Sequence, residues 1–424
     1  MSRFVWQAAR ACLVIYLAVA LSGCSSEEQP IVLFTWTRPQ ELQANQELIE
    51  KFQQTHPEIH VQIANDPSDA AMTKLQNLFA AGDPPDIMSI HGAFFVAFAA
   101  KGLLLPLDEL IAKDPEFNLD EFYPGLIDLC RVEGKLYSIP RYASVYTMFY
   151  NKELFDEAGL PYPDPDWTWD TFLEYAKALT VDTDGDGRID QYGTIIDYAG
   201  ARIYPWIWQN GGRITTPDRR RLTLDEPAAV QALEWVRDLR WKHHVCPGDT
   251  AVGFDDSLTS FASGKIGMYM SGPWDIQFLL TAEELDWDVQ VLPRGKRAAT
   301  MLGTENYAIS ATTHNVQAAW ELFKFLMSPE SQRFMAERLQ KMPSRIAVAE
   351  EYFRSPDLPY NGEAFLMAIE QGVKPPNIPE WNEVADYIAQ ALQAIWSGKE
   401  KSVKKAMSRA MQQANAVLQR RGQS

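Results

Sequence analysis

Residues 31–90 read "IVLFTWTRPQELQANQELIEKFQQTHPEIHVQIANDPSDAAMTKLQNLFAAGDPPDIMSI". The apolar run at 31–36 has the length of a buried strand. Residues 39–57 place Leu42, Leu48, Ile49 and Phe52 on one helical face, with Pro57 beyond the end. Residues 59–65 alternate as a strand does. Residues 68–85 form a second helix, opened by a capping residue and closed by Gly82. "DIMSI" at 86–90 is a third strand. The order β-α-β-α-β predicts a parallel sheet wrapped by helices.

Before this stretch the chain is not built to fold. "MSRFVWQAAR" carries Arg3 and Arg10 and no acid, and "ACLVIYLAVALSG" follows. That apolar run has the length of a secretory signal and is short for a membrane span. It ends in "LSGC", which resembles the bacterial lipoprotein signal: residues 1–23 are removed and Cys24 receives lipid. "SSEEQP" (25–30) reads as solvated tether, so 24–30 is assigned to the tether. An ordinary export signal with a chance cysteine is the alternative. Of the remaining cysteines, Cys130 and Cys246 either pair in an oxidising compartment or stay as two buried thiols.

The formal charge of the 424-residue chain is −17. Loss of the two leader arginines takes it to about −19. A chain this acidic is a poor broad-face partner for nucleic acid or an anionic bilayer. Its length and 46% hydrophobic content suffice for two domains with full cores.

The middle of the chain departs from the opening pattern. Residues 161–179 are a proline-rich turn feeding a helix capped by Thr168. Residues 226–244 are an amphipathic helix, 265–272 a strand, and 316–340 two helices split near Pro329. The C-terminal stretch is mostly helical. Between them, "DTDGDGRIDQYG" (182–193) is close to a calcium loop. Asp182, Asp184, Asp186, the Arg188 carbonyl and Asp190 are candidate ligands, but Gly193 stands where a bidentate Glu belongs. The loop is read as a candidate structural calcium site and not a sensor. An Asp/Gly-rich turn without an ion is the alternative. No cofactor is required by any other motif.

Several stretches in order resemble the extracellular solute-binding proteins of ABC importers, carbohydrate-binding family 1, which includes maltose-binding protein. They are "PPDIMSIHGAFFVAFAAKGLLLPLDEL" (84–110), "GKLYSIPRYASVYTMFYNKELFDEAGL" (134–160), "WTWDTFLEYAKAL" (167–179), "WIWQNGG" (206–212), "FASGKIGMYMSGPWDI" (261–276), "SPESQRFMAE" (328–337) and "MPSR" (342–345). "NIPEWNEV" (377–384) and "GKEKSVKKAM" (398–407) continue the resemblance along nearly the whole mature chain. "YNKELFDEAGL" and "F-x-x-GKIGM-x-x-x-G-x-W" are its more specific motifs.

The resemblance implies a two-lobed α/β fold of the periplasmic-binding-protein kind, type II-like, with discontinuous lobes joined by hinge crossings. The crossings are expected near Ser144, Gly272 and Thr312. One lobe then comprises 31–143 plus 273–312, and the other 144–272 plus 313–424. The implied role is reversible capture of a mono- or oligosaccharide between the lobes, closure, and docking on the permease subunits of the importer. The protein is expected to act as a monomer. Its expected place is outside the cytoplasm, lipid-anchored to the bacterial membrane on the periplasmic side or the cell surface.

A sugar site stacks aromatic rings on C–H faces and aims polar groups at hydroxyls. The matched motifs supply Trp36 and Arg38 after the first strand, His91 and Phe94 after the third, and Tyr142 and Ser144 at the first crossing. They further supply Trp206 and Trp208, then Trp274 and Asp275, then Thr304, Glu305 and Tyr307, and finally Arg345 and Trp381. Trp274 is the aromatic to which the "G-x-W" resemblance points. Where some relatives carry a carboxylate, Ser144 offers a hydroxyl. Trp167, Trp169, Trp235 and Trp320 lie in or beside amphipathic helices and are assigned to packing. No residue is assigned a catalytic role. Two alternatives stay open. One is a polyol or glycerophosphodiester ligand; a phosphate-bearing ligand would want clustered cations, which Arg38, Arg141, Arg202 and Arg345 could supply by converging. A secreted carbohydrate-active hydrolase would need two facing carboxylates, for instance Asp275 and Glu305.

Overall fold

The computed structural model describes residues 29–68, 70–196, 200–248, 256–376 and 378–421. The signal segment 1–23, Cys24 and most of the tether lie outside the described residues. Among the described residues, no helix is long and apolar enough to cross a membrane.

The chain opens as its sequence predicts. Strand β1 (Ile31–Thr35) leads through α1 (Pro39–Thr55) to β2 (Val61–Asn65), then through α2 (Ala71–Ala81) to β3 (Ile87–His91) and α3 (Gly92–Ala100). Both β2 and β3 lie parallel to β1. Gly82 closes α2 in the left-handed conformation, which costs a residue without Cβ little. Alternate residues of β1 serve opposite faces: Leu33 packs under α1 with Leu48 and Phe52, and Phe34 packs with Leu75 and Phe95. A strand buried on both sides reads as a continuous apolar run, as 31–36 does.

Further strands are β4 (Ser138–Val145), β5 (Thr147–Asn151), β6 (Tyr192–Ile195), β7 (Ile266–Ser271), β8 (Trp287–Gln290), β9 (Thr300–Ile309) and β10 (Gly372–Val373). The first sheet has the order β10-β9-β3-β1-β2, with β4 also on β9; the second has the order β8-β5-β7-β6. Strand β9 runs antiparallel to both β3 and β4. The second sheet buries Phe149, Tyr269 and Trp287 on one face. Its other face packs Met148 and Met268 against Phe172 of α4 (Trp169–Ala178), Trp206 of α5 (Tyr204–Gln209) and Leu233 of α6 (Pro227–Trp241).

Strand β4 leaves the first sheet at Val145 and β5 enters the second at Thr147, so the first crossing pivots on Tyr146, near Ser144 as expected. The other two differ from those expected. Gly272 is not a crossing, because β8 pairs with β5 in the second sheet. The chain returns to the first sheet only between Gln290 and Thr300. Nor is Thr312 a crossing. Helices α7 (Val316–Leu326) and α8 (Pro329–Leu339) place Trp320, Phe323 and Met335 in the core of the first sheet. The MPSR segment then bridges to β4 through Tyr142–Pro343. The final helices, α9 (Trp381–Trp396) and α10 (Val403–Arg421), bury Leu392 and Met407 with the second-sheet core. The division at 273 and 313 therefore does not follow the sheets.

Candidate ligand-binding cleft between the two sheets

The floor of the cleft is the middle of β9. Glu305 lies opposite His91 of β3 on one side and Tyr142 of β4 on the other. The β4 pairing slips by one residue here, from Glu305–Tyr142 to Asn306–Pro140, so Arg141 is the extra residue of a bulge. Pro140 has no N–H for the ladder, and a bulge re-aims its neighbour. Arg141 turns into the protein, 2% exposed. Its guanidinium reaches Glu41 Oε1 at 2.7 Å and Glu305 Oε1 at 3.3 Å. It also donates to Ser89 Oγ at 3.3 Å and to the Tyr142 hydroxyl at 2.7 Å. Ser89 Oγ donates to Glu305 at 3.0 Å, and Lys341 Nζ meets Glu41 Oε2 at 3.0 Å. Burial pushes the Glu41 carboxyl up, but the charges of Lys341 and Arg141 outweigh it and hold Glu41 below its usual range.

The walls are aromatic. Asn65 Oδ1, at the end of β2, accepts Thr35 Oγ1 at 2.9 Å and the Thr37 N–H at 2.9 Å. This pins the turn that carries Trp36, whose ring meets His91 edge-on at 6.1 Å. Across the cleft, Trp274 folds over Gly272. A Cβ on Gly272 would fall 2.4 Å from the Trp274 ring, so the "G-x-W" spacing is a close approach that glycine permits. The edge of Tyr146 supports Trp274 at 5.5 Å.

Trp36, Arg38, His91, Tyr142, Ser144, Trp274 and Glu305 line one inner compartment of about 370 Å³. That is within the range of small-molecule sites. A smaller, more apolar compartment of about 100 Å³ adjoins it, sharing His91, Ser144 and Met301 and adding Thr304, Tyr204 and Trp381. An open depression of about 630 Å³ continues from it past Val96 and Ile378 to Arg131 and Arg220. The cleft is thus a groove with a polar inner end.

Six of the expected site residues lie elsewhere. Trp206 is fully buried against Trp169, Phe172 and Trp235. Trp208 is buried beside Tyr204. All six residues of their helix are buried, the one fully polar side chain, Gln209, being satisfied by Trp169 and the Ala299 carbonyl. Asp275 is turned inward, where its carboxylate accepts the Tyr269 hydroxyl at 2.9 Å and that of Ser271. Burial pushes it above the usual carboxylate range. Tyr307 is core, with Arg141 stacked 4.6 Å from its ring centre. Arg345 is buried, paired with Glu121 and donating to the Met327 carbonyl at 2.7 Å. Phe94 packs against the core and supports His91 at 6.3 Å without lining either compartment. With Arg141 and Arg345 both held in separate pairs, the four arginines do not form one anion site.

Sequence reasoning missed Glu41, Lys341, Tyr146, Gln277 and Met301, which all line the inner compartment. Glu41 read as an ordinary acid in the first turn of a helix. Lys341, directly before "MPSR", and Tyr146, directly after "RYASV", had motif positions that could have flagged them.

In the acidic loop, carboxylate oxygens of Asp182, Asp184 and Asp190 lie within 4.8 Å of one another. The loop is organised by its own carboxylates. Asp182 accepts the Gly185 and Gly187 N–H groups at 2.7 and 2.8 Å, and Asp190 accepts Thr183 N–H at 2.8 Å. Hydrogen bonds from Thr183 hold Asp190 below the usual carboxylate range. Asp186 caps the Arg188 N–H at 2.7 Å and is not in the cluster. Cys130 and Cys246 are both buried and not bridged to each other. Cys130 Sγ donates to Asn306 at 3.3 Å, and burial pushes its thiol up to about 12.

Two sheets joined by three crossings, with a polar and aromatic groove between them, define a two-lobed solute-binding protein. Comparison with known proteins agrees. The chain belongs to the bacterial extracellular solute-binding protein family, whose sequence profile matches residues 37–333. It is 24% identical over 428 residues to the galactooligosaccharide-binding protein of Bacillus subtilis, covering 96% of each chain. It is 24% identical over 374 residues to the maltotriose-binding protein of Pyrococcus abyssi, covering 86% of this chain and 77% of the relative. An ABC substrate-binding protein of Listeria monocytogenes, solved in complex with cycloalternan, superposes with a TM-score of 0.84 at 26% identity. That match covers 92% of this chain and 98% of the other. The family places the protein outside the cytoplasm, and its members are binding proteins.

Proposed function

We propose that the protein captures an uncharged carbohydrate in the interlobe groove and delivers it to the permease of an ABC importer. The observation that carries this reading is the charge balance of an aromatic cleft. Trp36, Trp274 and Trp381 line the groove, and among the charged residues that line the inner compartment Arg38 and Lys341 balance Glu41 and Glu305, with Arg141 buried behind the two carboxylates. Such a site suits a ligand with hydroxyls and apolar C–H faces and no net charge. The adjoining compartments that continue from the inner end leave room for more than one sugar unit. A phosphodiester would leave its charge without a dedicated arginine cluster, and a two-carboxylate hydrolase is disfavoured because Asp275 is buried in hydrogen bonds to Tyr269 and Ser271 and lines neither compartment. The test is tryptophan fluorescence of the mature domain against sugars, polyols and glycerophosphodiesters, with calorimetry on each hit. Saturable binding of a sugar that is returned unchanged supports the reading. Binding of phosphodiesters alone, or cleavage of the sugar, overturns it.

Two further parts of this reading rest on the sequence. Lipid on Cys24 anchors a monomer at the membrane, which a Cys24→Ser variant tests by partitioning: the variant stays soluble. Calcium held by Asp182, Asp184 and Asp190 staples a turn of the second lobe, at modest affinity because Gly193 supplies no carboxylate.

A further inference from the structure

His91 and Glu305 face each other across β3 and β9, directly opposite in an antiparallel pair, so their side chains share one face of the sheet. That face is the cleft floor. His91 also caps α3: the backbone N–H of Ala93 donates to His91 Nδ1 at 3.2 Å. A backbone amide can only donate, so Nδ1 is the unprotonated nitrogen. A neutral imidazole then carries its proton on Nε2. Trp36 and Phe94 each meet the ring edge-on. Nε2 has no protein partner among the described residues, on a ring that lines both compartments. Glu305, by contrast, has one oxygen held by Ser89 and Arg141.

We propose that His91 and Glu305 are the hydroxyl-reading pair of the cleft, with His91 Nε2–H donating to one ligand oxygen and the Glu305 carboxylate accepting from the same or the adjacent hydroxyl. The inference deepens the carbohydrate reading and rests on it. A hydroxyl both donates and accepts, so a fixed donor beside a fixed acceptor selects a hydroxyl or a vicinal diol over an ether, a deoxy position or a phosphate. His91 is solvent-exposed at the end of β3, yet desolvation between the two lobes holds its imidazole below its usual range, against the opposing pull of Glu305. Arg141 lies behind Glu305 and Glu41, and Arg38, Glu41 and Lys341 line the same compartment as His91. Protonating His91 would break the Ala93 cap as well as change the donor pattern.

The tautomer is testable without ligand. Nitrogen-15 NMR of histidine-labelled mature domain is expected to show His91 neutral at pH 7 with its proton on Nε2. A proton on Nδ1, or an imidazolium at pH 7, overturns the proposal. The second test titrates maltotriose, a galactooligosaccharide mixture, mannitol and tagatose. His91→Asn keeps an acceptor at the Nδ1 position for the cap and removes the Nε2 donor. Glu305→Gln keeps the shape and removes the charge. Each is expected to weaken the tightest-binding probe about ten- to a hundredfold, with the His91→Asn melting temperature close to wild type. Wild-type affinity in both variants overturns the pair while leaving the carbohydrate reading intact. Failure of the wild type to bind any probe overturns that reading, and the pair with it.

Discussion

Thr300 closes the hinge on Tyr146. Its hydroxyl donates to the Tyr146 carbonyl at 2.8 Å and accepts the Tyr146 N–H at 3.2 Å. Tyr146 is the residue at which the chain passes from one sheet to the other, and Thr300 is the first residue of β9 after the chain has passed back. One side chain thus ties the two crossings together, with both backbone polar groups of the pivot satisfied in a buried place. The same tyrosine supports Trp274, so hinge and cleft wall share a residue.

Replacing Thr300 by Val removes both bonds at nearly constant volume and leaves the Tyr146 N–H and carbonyl without this partner. A cost of about 1–3 kcal/mol is expected, read as a lower denaturation midpoint. Because the tie lies on the pivot, small-angle scattering of the unliganded variant should also show a broader spread of lobe separations. An unchanged midpoint would mean that the clasp contributes nothing to the hinge.

The Arg141 network should set the acid limit of stability. The folded pKa of Glu41 is depressed below its ordinary value of 4.5, so the unfolded chain binds a proton first as pH falls. The stabilisation is present above about pH 4.5 and is lost as pH drops through the folded value. Glu41→Gln should therefore be less stable than wild type at pH 7 and converge on it in acid. Arg141→Leu leaves two carboxylates without their central cation and should cost about 3–5 kcal/mol. Urea unfolding at pH 7 and below pH 4.5 checks both; parallel pH profiles for wild type and Glu41→Gln would contradict the assignment.

This network marks the limit of what the sequence discloses. Residues 31–90 could be read because strand and helix periodicities are local, and one amphipathic turn reports its own buried face. The pairing of Glu41 with Arg141 spans 100 residues, and nothing in the first turn of α1 announces it. Trp36, Trp274, His91 and Glu305, named from their motifs, do come together in one compartment, although the strand that carries Glu305 was not read from the sequence. Trp206 and Trp208 were misread because an aromatic-rich run looks alike in a cleft and in a core. Only the packing of α5 under α4 and α6 distinguishes them. The crossing expected near Gly272 was misplaced because β8 is four residues long, too short to declare its sheet.

The acidic loop carries a prediction of its own. Calcium at about a hundredfold over its dissociation constant would add about 2.7 kcal/mol to the folded state. Thermal melts of the mature domain should therefore shift downward on chelation and recover with added calcium. Asp184→Asn should abolish the shift while leaving the Asp182 and Asp190 backbone bonds in place. Chelation without effect on the wild type would mean that the turn is held by its own hydrogen bonds alone.

Trp274 and Trp206 form the sharpest contrast between cleft and core. Trp274 is half-buried and lines the inner compartment, while Trp206 is fully buried within a cluster of three aromatic rings. Trp274→Ala should weaken the bound sugar by about 1–3 kcal/mol, the range of a lost stacking and packing contact, and shift the unfolding midpoint only slightly. Trp206→Ala should do the reverse. Its cavity should cost about 3–5 kcal/mol of stability, while any folded fraction binds sugar with near wild-type affinity. Calorimetry and urea unfolding on both variants decide the matter. If Trp274→Ala binds as wild type does, the aromatic wall of the cleft is misassigned, and the C–H faces of the ligand must rest on Trp36 and Trp381 instead.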